Sequence, residues 1–247
     1  MKYRALQFGA AVWLLLTAVF AARAAPTVIE PFKATYAVTY RGLRAGNIIF
    51  ELTRDANGQY LYRSVVQPSM LARMIISPRA TEMTRFALTE DGVQPLEWKL
   101  DDGESGSAED GKATFDVGTQ RVHGVVKDKT IDFPLEPHLQ DRLSVQMEVM
   151  HSLLAGEEPG EIPLIDDERI KRYNYKRTKA EQVKTPVGEF STIVYESTRP
   201  GSKRISRMWH APALGYIPVR AEQWRDGKAE TVMQLVALQG RSIAASR

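Results

Sequence analysis

The sequence predicts a mainly β protein: a strongly curved antiparallel sheet or open β-barrel with one main amphipathic helix laid into its concave side. Three observations carry this. Most of the chain alternates apolar and polar residues with period two, turn-forming residues punctuate those runs, and a single stretch has helical spacing. An ordinary β-sandwich with a surface helix satisfies the same pattern and stands as the alternative.

The alternation begins at Tyr36, Val38 and Tyr40, resumes at Ile48, Phe50 and Leu52, and continues from Tyr60 to Val66. Arg41 to Gly46 and Asp55-Ala56-Asn57-Gly58 lie between these runs; Asn-Gly readily supplies the positive φ angles of a hairpin turn. Further strands are expected at Ala80 to Leu88, Pro95 to Leu100, Ala113 to Val117, Arg121 to Val126 and Thr130 to Phe133. Beyond the middle they fall at Ile170 to Thr178, Glu181 to Thr185, Glu189 to Thr198, Lys203 to His210, Ile217 to Trp224 and Ala229 to Gln239, with Asp226-Gly227 joining the last two.

Leu143, Met147, Met150 and Leu154 recur at spacings of four, three and four, which is helical, with Asp141 placed to cap the start and Gly156 to close the end. Met70 to Ile76 reads as a short second helix or an apolar loop. Glu157 to Glu168, rich in acids, Pro and Gly, reads as a linker. A division into two lobes at this point is the alternative; one domain is favoured because the helix needs strands from both sides to bury it. We therefore expect one domain over residues 25–247.

The first residues, Met1-Lys2-Tyr3-Arg4, precede an apolar run from Ala5 to Ala22 and the exit Ala22-Arg23-Ala24. A basic start, an apolar centre and an Ala-x-Ala exit form a secretory signal peptide over residues 1–24, with cleavage expected after Ala24. The expected location is the periplasm. A retained anchor is the alternative, since roughly 20 apolar residues can span a bilayer.

The chain has 247 residues, 43% of them apolar and 26% charged, with no Cys. That composition excludes disulfide scaffolds, collagen-like repeats and polytopic membrane proteins. Of its 33 bases, Lys2, Arg4 and Arg23 leave with the signal, so 30 face the chain's 30 acids. The mature protein is then formally neutral, and nucleic acid is not an expected partner.

Catalytic signals are weak, and no enzyme is expected. Gly103-Glu104-Ser105-Gly106-Ser107 resembles a nucleophile elbow but ends in Ser and sits in an acidic loop. His123, His138, His151 and His210 show no metal-ligand spacing, and Asp101, Asp102, Glu104, Glu109 and Asp110 lack the ordered pattern of a calcium loop. No catalytic residue, metal or cofactor is nominated.

Two residue pools point to binding. Met70, Leu71, Met74, Ile75 and Ile76, with Met147 and Met150 of the helix, are flexible and polarisable enough to line a surface for a variable oily ligand; simple core filling is the alternative. After six acids between Glu157 and Glu168 come Arg169, Lys171, Arg172, Lys176, Arg177 and Lys179. Arg172, Lys176 and Arg177 are the candidates for an anionic head group or an acidic partner, unless neighbouring acids neutralise them.

The string Trp209-His210-Ala211-Pro212-Ala213-Leu214-Gly215-Tyr216-Ile217-Pro218-Val219-Arg220 resembles the C-terminal signature of the exported bacterial family known as domain of unknown function number 3108. Tyr36 to Tyr40, Gly42, Gly46, Thr81-Glu82, Phe86, Phe115-Asp116, Asp141-Arg142-Leu143-Ser144 and Thr185 to Phe190 match as well, over roughly residues 30–240. Arg142 stands where the family commonly has Pro, a change at the helix start that Asp141 can tolerate as cap. The resemblance implies a periplasmic, mostly β protein without established catalysis, and a fold similar to the open barrels of Lol-type lipoprotein carriers. In physical terms Pro212 stops a strand, Gly215 permits a reversal, Pro218 restarts a strand, and Trp209 and Tyr216 pack across the turn; these two aromatics are also candidate ligand contacts.

Together these features predict a non-enzymatic periplasmic protein that binds a lipid or lipidated ligand in an apolar groove. The alternative is an envelope assembly or scaffold protein that meets a protein partner through a strand edge or the basic face.

Overall fold

The computed structural model describes residues 28–70, 72–74, 80–104, 106 and 109–241. The expected signal peptide lies outside them. Among the described residues, fourteen strands form a single antiparallel sheet. Its first half is β1 (Phe32–Tyr40), β2 (Leu43–Arg54), β3 (Tyr60–Pro68), β4 (Thr81–Thr89), β5 (Gly92–Asp101), β6 (Gly111–Asp116), β7 (Arg121–Val126) and β8 (Lys129–Pro134). After α1 (Ser144–Ala155) come β9 (Gly160–Asp166), β10 (Arg169–Thr185), β11 (Gly188–Thr198), β12 (Arg204–His210), β13 (Pro218–Arg225) and β14 (Lys228–Gln239).

The strand order is β8-β7-β6-β5-β4-β3-β2-β1-β14-β13-β12-β11-β10-β9. Each half is a meander of sequential neighbours, and β1 against β14 joins them, from Lys33↔Gln239 to Tyr40↔Thr231. The sheet does not close: β8 and β9 are its outer strands. A single parallel bridge, Gln140↔Leu164, ties the segment before α1 to β9. Extra residues at Ala45 in β2, Leu96 in β5, Thr178 in β10, Val219 in β13 and Glu230 and Val236 in β14 shift the register and add the local bending a wrapped sheet needs.

Helix α1 occupies the hollow. Leu143, Met147 and Met150 join an apolar cluster with Phe32, Tyr36, Phe50, Tyr62 and Phe86 from the first half and Leu235 from the last strand. Val145, Val149 and Leu153 pack against Ile162, Leu164, Tyr175 and Tyr195 of β9, β10 and β11. Because nearly every side of α1 meets apolar sheet residues, its sequence carries only a weak polar face. Among the described residues no helix is long and apolar enough to cross a membrane.

Asp141 starts the helix as the sequence predicted. One carboxylate oxygen accepts the backbone N–H groups of Leu143 and Ser144, both at 2.8 Å. Gly156 ends it at φ 79°, its N–H bonded to the Leu153 carbonyl at 3.2 Å. Asp226 and Gly227, at φ 48° and 76°, make the expected tight hairpin between β13 and β14. Between β12 and β13, Pro212–Leu214 form a 3-10 turn closed by Gly215 at φ 65°, and β13 restarts at Pro218.

Two expectations are corrected. The supposed linker, Glu157 to Glu168, contains strand β9: Ile162 and Leu164 turn inward to the helix while Glu161 faces out. The two strands expected at Ile170 to Thr178 and Glu181 to Thr185 are one strand, β10, kept continuous by a bulge between Arg177 and Lys179. Of the expected segment Met70 to Ile76, the structure describes Met70 and a short 3-10 turn, Ala72–Met74; Leu71, Ile75 and Ile76 lie outside the described residues.

Candidate functional site

The acidic and basic runs become facing strands. In the β9–β10 hairpin Asp166 pairs with Arg169 and Pro163 with Arg172. Lys171 reaches Asp166 at 2.8 Å and Asp167 at 3.1 Å, and Arg172 reaches Glu136 at 2.6 Å and Glu161 at 3.8 Å. Burial alone would raise the Asp166 carboxyl, but bonds from Lys171 and Tyr173 outweigh it and hold the group below its ordinary value. A bond from Lys129 holds Glu168 down at about 2. The start of the basic strand is thus neutralised, Lys171 by acids of its own hairpin and Arg172 chiefly by Glu136 from the segment before α1.

Lys176 and Arg177 differ. Both are exposed, and among the described residues neither makes a side-chain hydrogen bond or ion pair. Lys176 stands opposite Glu196, but Glu196 is taken by Arg207 of β12 at 2.5 Å. Pairing with β9 also ends here, at Tyr175↔Gly160. From Lys176 to Thr185, β10 bonds to β11 on one side, and among the described residues no strand pairs with its other side. The bulge and the cations are features that discourage indiscriminate pairing of such an edge. Lys179 meets Glu181, and at the far end the Lys184 carbonyl accepts the Gln234 side-chain amide at 3.0 Å, which holds the hairpin tip against β14.

Among the described residues, the apolar candidates Met70, Met147, Met150, Trp209 and Tyr216 do not line one common groove. Met147 and Met150 are 0% and 1% exposed and lie in the core. Met70 is 86% exposed and sits on the surface. The Met74 side chain, Leu71 and Ile75 lie outside the description. Trp209 is buried; its indole N–H donates to Glu181 at 3.2 Å, and the Arg220 guanidinium lies 5.4 Å from its ring centre. Tyr216 is half-buried, packs against the clusters on both sides of the helix, and holds His210 through its carbonyl at 2.8 Å.

Burial keeps His210 neutral, pushing its imidazole down to about 4. Its Nδ1–H donates to Tyr216, and its Nε2 has no partner among the described residues. The ring also meets Tyr195 edge-on at 6.1 Å. These contacts tie the turn after β12 to β11, which is an architectural task.

A grouping missed in the sequence surrounds Glu148. Its carboxylate accepts the Val93 N–H at 2.8 Å, and His138 stands 3.6 Å away, with the His151 charge felt from the same helix. Burial raises the Glu148 carboxyl. The spacing of Glu148 and His151, one helical turn, was readable; His138 arrives from the loop before α1, at φ 57°, and was not. Asp101, Asp102 and Asp110 also converge, with carboxylate oxygens within 4.8 Å of one another, yet each accepts a backbone N–H of its own turn. Ser105 and Ser107 of the elbow-like string lie outside the described residues.

The described surface includes two open depressions at one end of the sheet. One, about 420 Å³, is lined by Arg44, Gly46, Asn47, Gln67, Pro68, Ser69 and Arg73; the other, about 620 Å³, by Arg41, Arg225, Asp226, Lys228, Ala229 and Glu230. Both lie at the end of the sheet that carries the β1–β2 and β13–β14 turns.

Among solved structures, the chain is similar to a β-barrel-like protein of domain of unknown function DUF1849 from Brucella abortus, with 13% identity, 85% of this chain and 98% of that one covered, and a TM-score of 0.52. That likeness is one of fold. A weaker likeness is to the complex of Pseudomonas aeruginosa MucA and MucB, at 9% identity, with 85% of this chain and 51% of that one covered and a TM-score of 0.41. No curated protein matches. The sequence profile of one family spans residues 35–233, from the first strand to the last and through the Trp209 to Arg220 string, and the chain belongs to that family, described as "Protein of unknown function (DUF3108)".

Proposed function

We propose that the protein is a non-enzymatic binding protein of the periplasm, exported by its N-terminal signal, that docks an extended acidic segment of another envelope protein along the open side of β10. The observation that carries this reading is the length of β10. It outruns β9 after Tyr175, leaving backbone donors and acceptors along Lys176 to Gln182 beside two cations that make no ion pair among the described residues. Adding a strand to such an edge supplies main-chain bonds, while Lys176 and Arg177 supply the preference for acid. The buried carboxyl of Asp141 and the imidazole of His210 serve a cap and a turn.

An acyl-chain groove lined by Met147 and Met150 would require those two side chains to leave the core they fill. The protein-docking reading needs no such rearrangement.

A photoreactive residue at exposed Gln182, introduced in cells, tests the proposal. A discrete protein adduct is expected, lost in Lys176→Glu/Arg177→Glu and absent when the probe replaces His123 on β7. Equal adducts from both positions, or an adduct indifferent to the charge reversals, would refute it. A stoichiometric acyl lipid released from the purified chain, found by mass spectrometry, would favour the groove instead.

A further inference from the structure

Of the five large apolar side chains most exposed among the described residues, three stand together: Tyr40 at 47%, Leu43 at 76% and Met70 at 86%. Tyr40 and Leu43 pair across the β1–β2 turn. Met70 is brought to the same end of the sheet because its neighbour Ser69 donates its N–H to the Ala45 carbonyl at 2.8 Å and its hydroxyl to the Arg44 carbonyl at 3.2 Å. Such side chains, left in water at a loop tip, cost the fold nothing if they have somewhere apolar to go.

Cations surround this tip. Arg44 and Arg73 line the depression of about 420 Å³ that Ser69, the neighbour of Met70, also lines. The Arg41 N–H bonds to the Glu230 carbonyl at 2.7 Å, bringing the β1–β2 turn against β14, and Arg225 and Lys228 pair across the next turn. Arg204 stands opposite Arg225 on β12. The nearby acids are occupied: Glu230 by Arg41 at 2.8 Å and Asp226 by Lys203 at 3.3 Å. Arg225 and Arg204 also lower the Glu230 carboxyl, after the larger effect of the Arg41 bond, which places all three cations on one field. A chain whose charges nearly cancel, 33 against 30, has thus concentrated an excess of positive charge at one end.

We infer that this end of the sheet is a docking surface for an anionic phospholipid bilayer: Leu43 and Met70 enter the head-group boundary, Tyr40 sits at its level, and the arginine rim faces lipid phosphates. Apolar side chains ringed by cations match the two attractions of a peripheral membrane contact, burial and charge. A protein partner of ordinary stability would need a broad, flat patch; three protruding side chains on loop tips suit a fluid boundary better. The residues differ from those of the β10 edge, so this inference stands whether or not that proposal does.

The test is co-sedimentation of the full-length chain with vesicles of phosphatidylethanolamine and phosphatidylglycerol, against vesicles of phosphatidylcholine alone. Binding to the anionic vesicles is expected, weakened by salt, and reduced at least about tenfold in Leu43→Ser/Met70→Ser and in Arg44→Glu/Arg73→Glu. Thermal melting of both variants should match the parent, since these side chains are exposed. Equal binding to both vesicle types, or retention unaffected by the two variants, would overturn the inference. So would dimers in the absence of vesicles that are lost in Leu43→Ser/Met70→Ser, which would assign the tip to a second copy of the chain.

Discussion

Thr84 of β4 donates its hydroxyl to the second carboxylate oxygen of Asp141 at 2.7 Å, so one buried acid starts the helix and pins it to the first half of the sheet. Asp141→Ala removes the cap from Leu143 and Ser144 and strands the Thr84 hydroxyl. A loss of about 2–4 kcal/mol is expected in urea unfolding.

The same residue gives a pH dependence. Burial lifts the Asp141 carboxyl from 3.8 to about 6, outweighing its bonds from Thr84, Ser144 and Leu143. The folded chain therefore keeps a proton that the unfolded chain gives up. The associated stability is complete below 3.8 and is lost as pH rises through about 6, by about 3 kcal/mol in all. Asp141→Asn should lack this slope when unfolding is compared at about pH 4 and pH 7; an unchanged slope in the variant would count against it.

His210 acts with opposite sign. Its imidazole titrates at about 4 in the fold against 6.5 in the open chain, so its contribution is complete above 6.5 and is lost as pH falls through about 4. Because the two windows overlap, each slope emerges only as the difference between the parent and its own variant. Imidazole NMR signals provide the direct check: His210 should stay neutral at about pH 5, where an exposed histidine is charged.

Met147 separates core from groove. It is fully buried among residues from both halves of the sheet, and Met147→Ala should cost about 2–5 kcal/mol. A loss below about 1 kcal/mol would mean that the side chain lines open space.

Gly92 sits at φ 115°, and a Cβ there would meet a Glu148 carboxylate oxygen at 2.8 Å. Gly92→Ala combines backbone strain with displacement of the carboxylate from the Val93 N–H. The expected cost is about 2–4 kcal/mol, measured by thermal unfolding, and Glu148→Gln in the same background should recover little of it, because the backbone strain stays.

The strand pattern and the helix were legible because period two and period 3.6 report burial directly. Tyr36, Phe50 and Leu52 point to the same core from which Met147 and Met150 approach. Strand β9 was hidden because its outward residues are acids and its backbone includes Gly160 and Pro163, the usual marks of a connection. Pro163 is tolerated there because β9 is an outer strand, and its carbonyl is used by the Gln140 N–H at 2.9 Å. The unity of β10 was hidden by one extra residue, Thr178, which breaks the alternation without breaking the strand. Of the candidate contacts, Lys176 and Arg177 could be named from their type, but their difference from Arg172 could not. It depends on where β9 ends and on Glu136, which arrives from the far side of the helix.

The pairing of β1 with β14 has a consequence for how the chain is made. Every other strand finds its partner within a short stretch of polypeptide, whereas Lys33 must wait for Gln239. A chain emerging with its first residue leading holds β1 bare along one side until the last strand arrives.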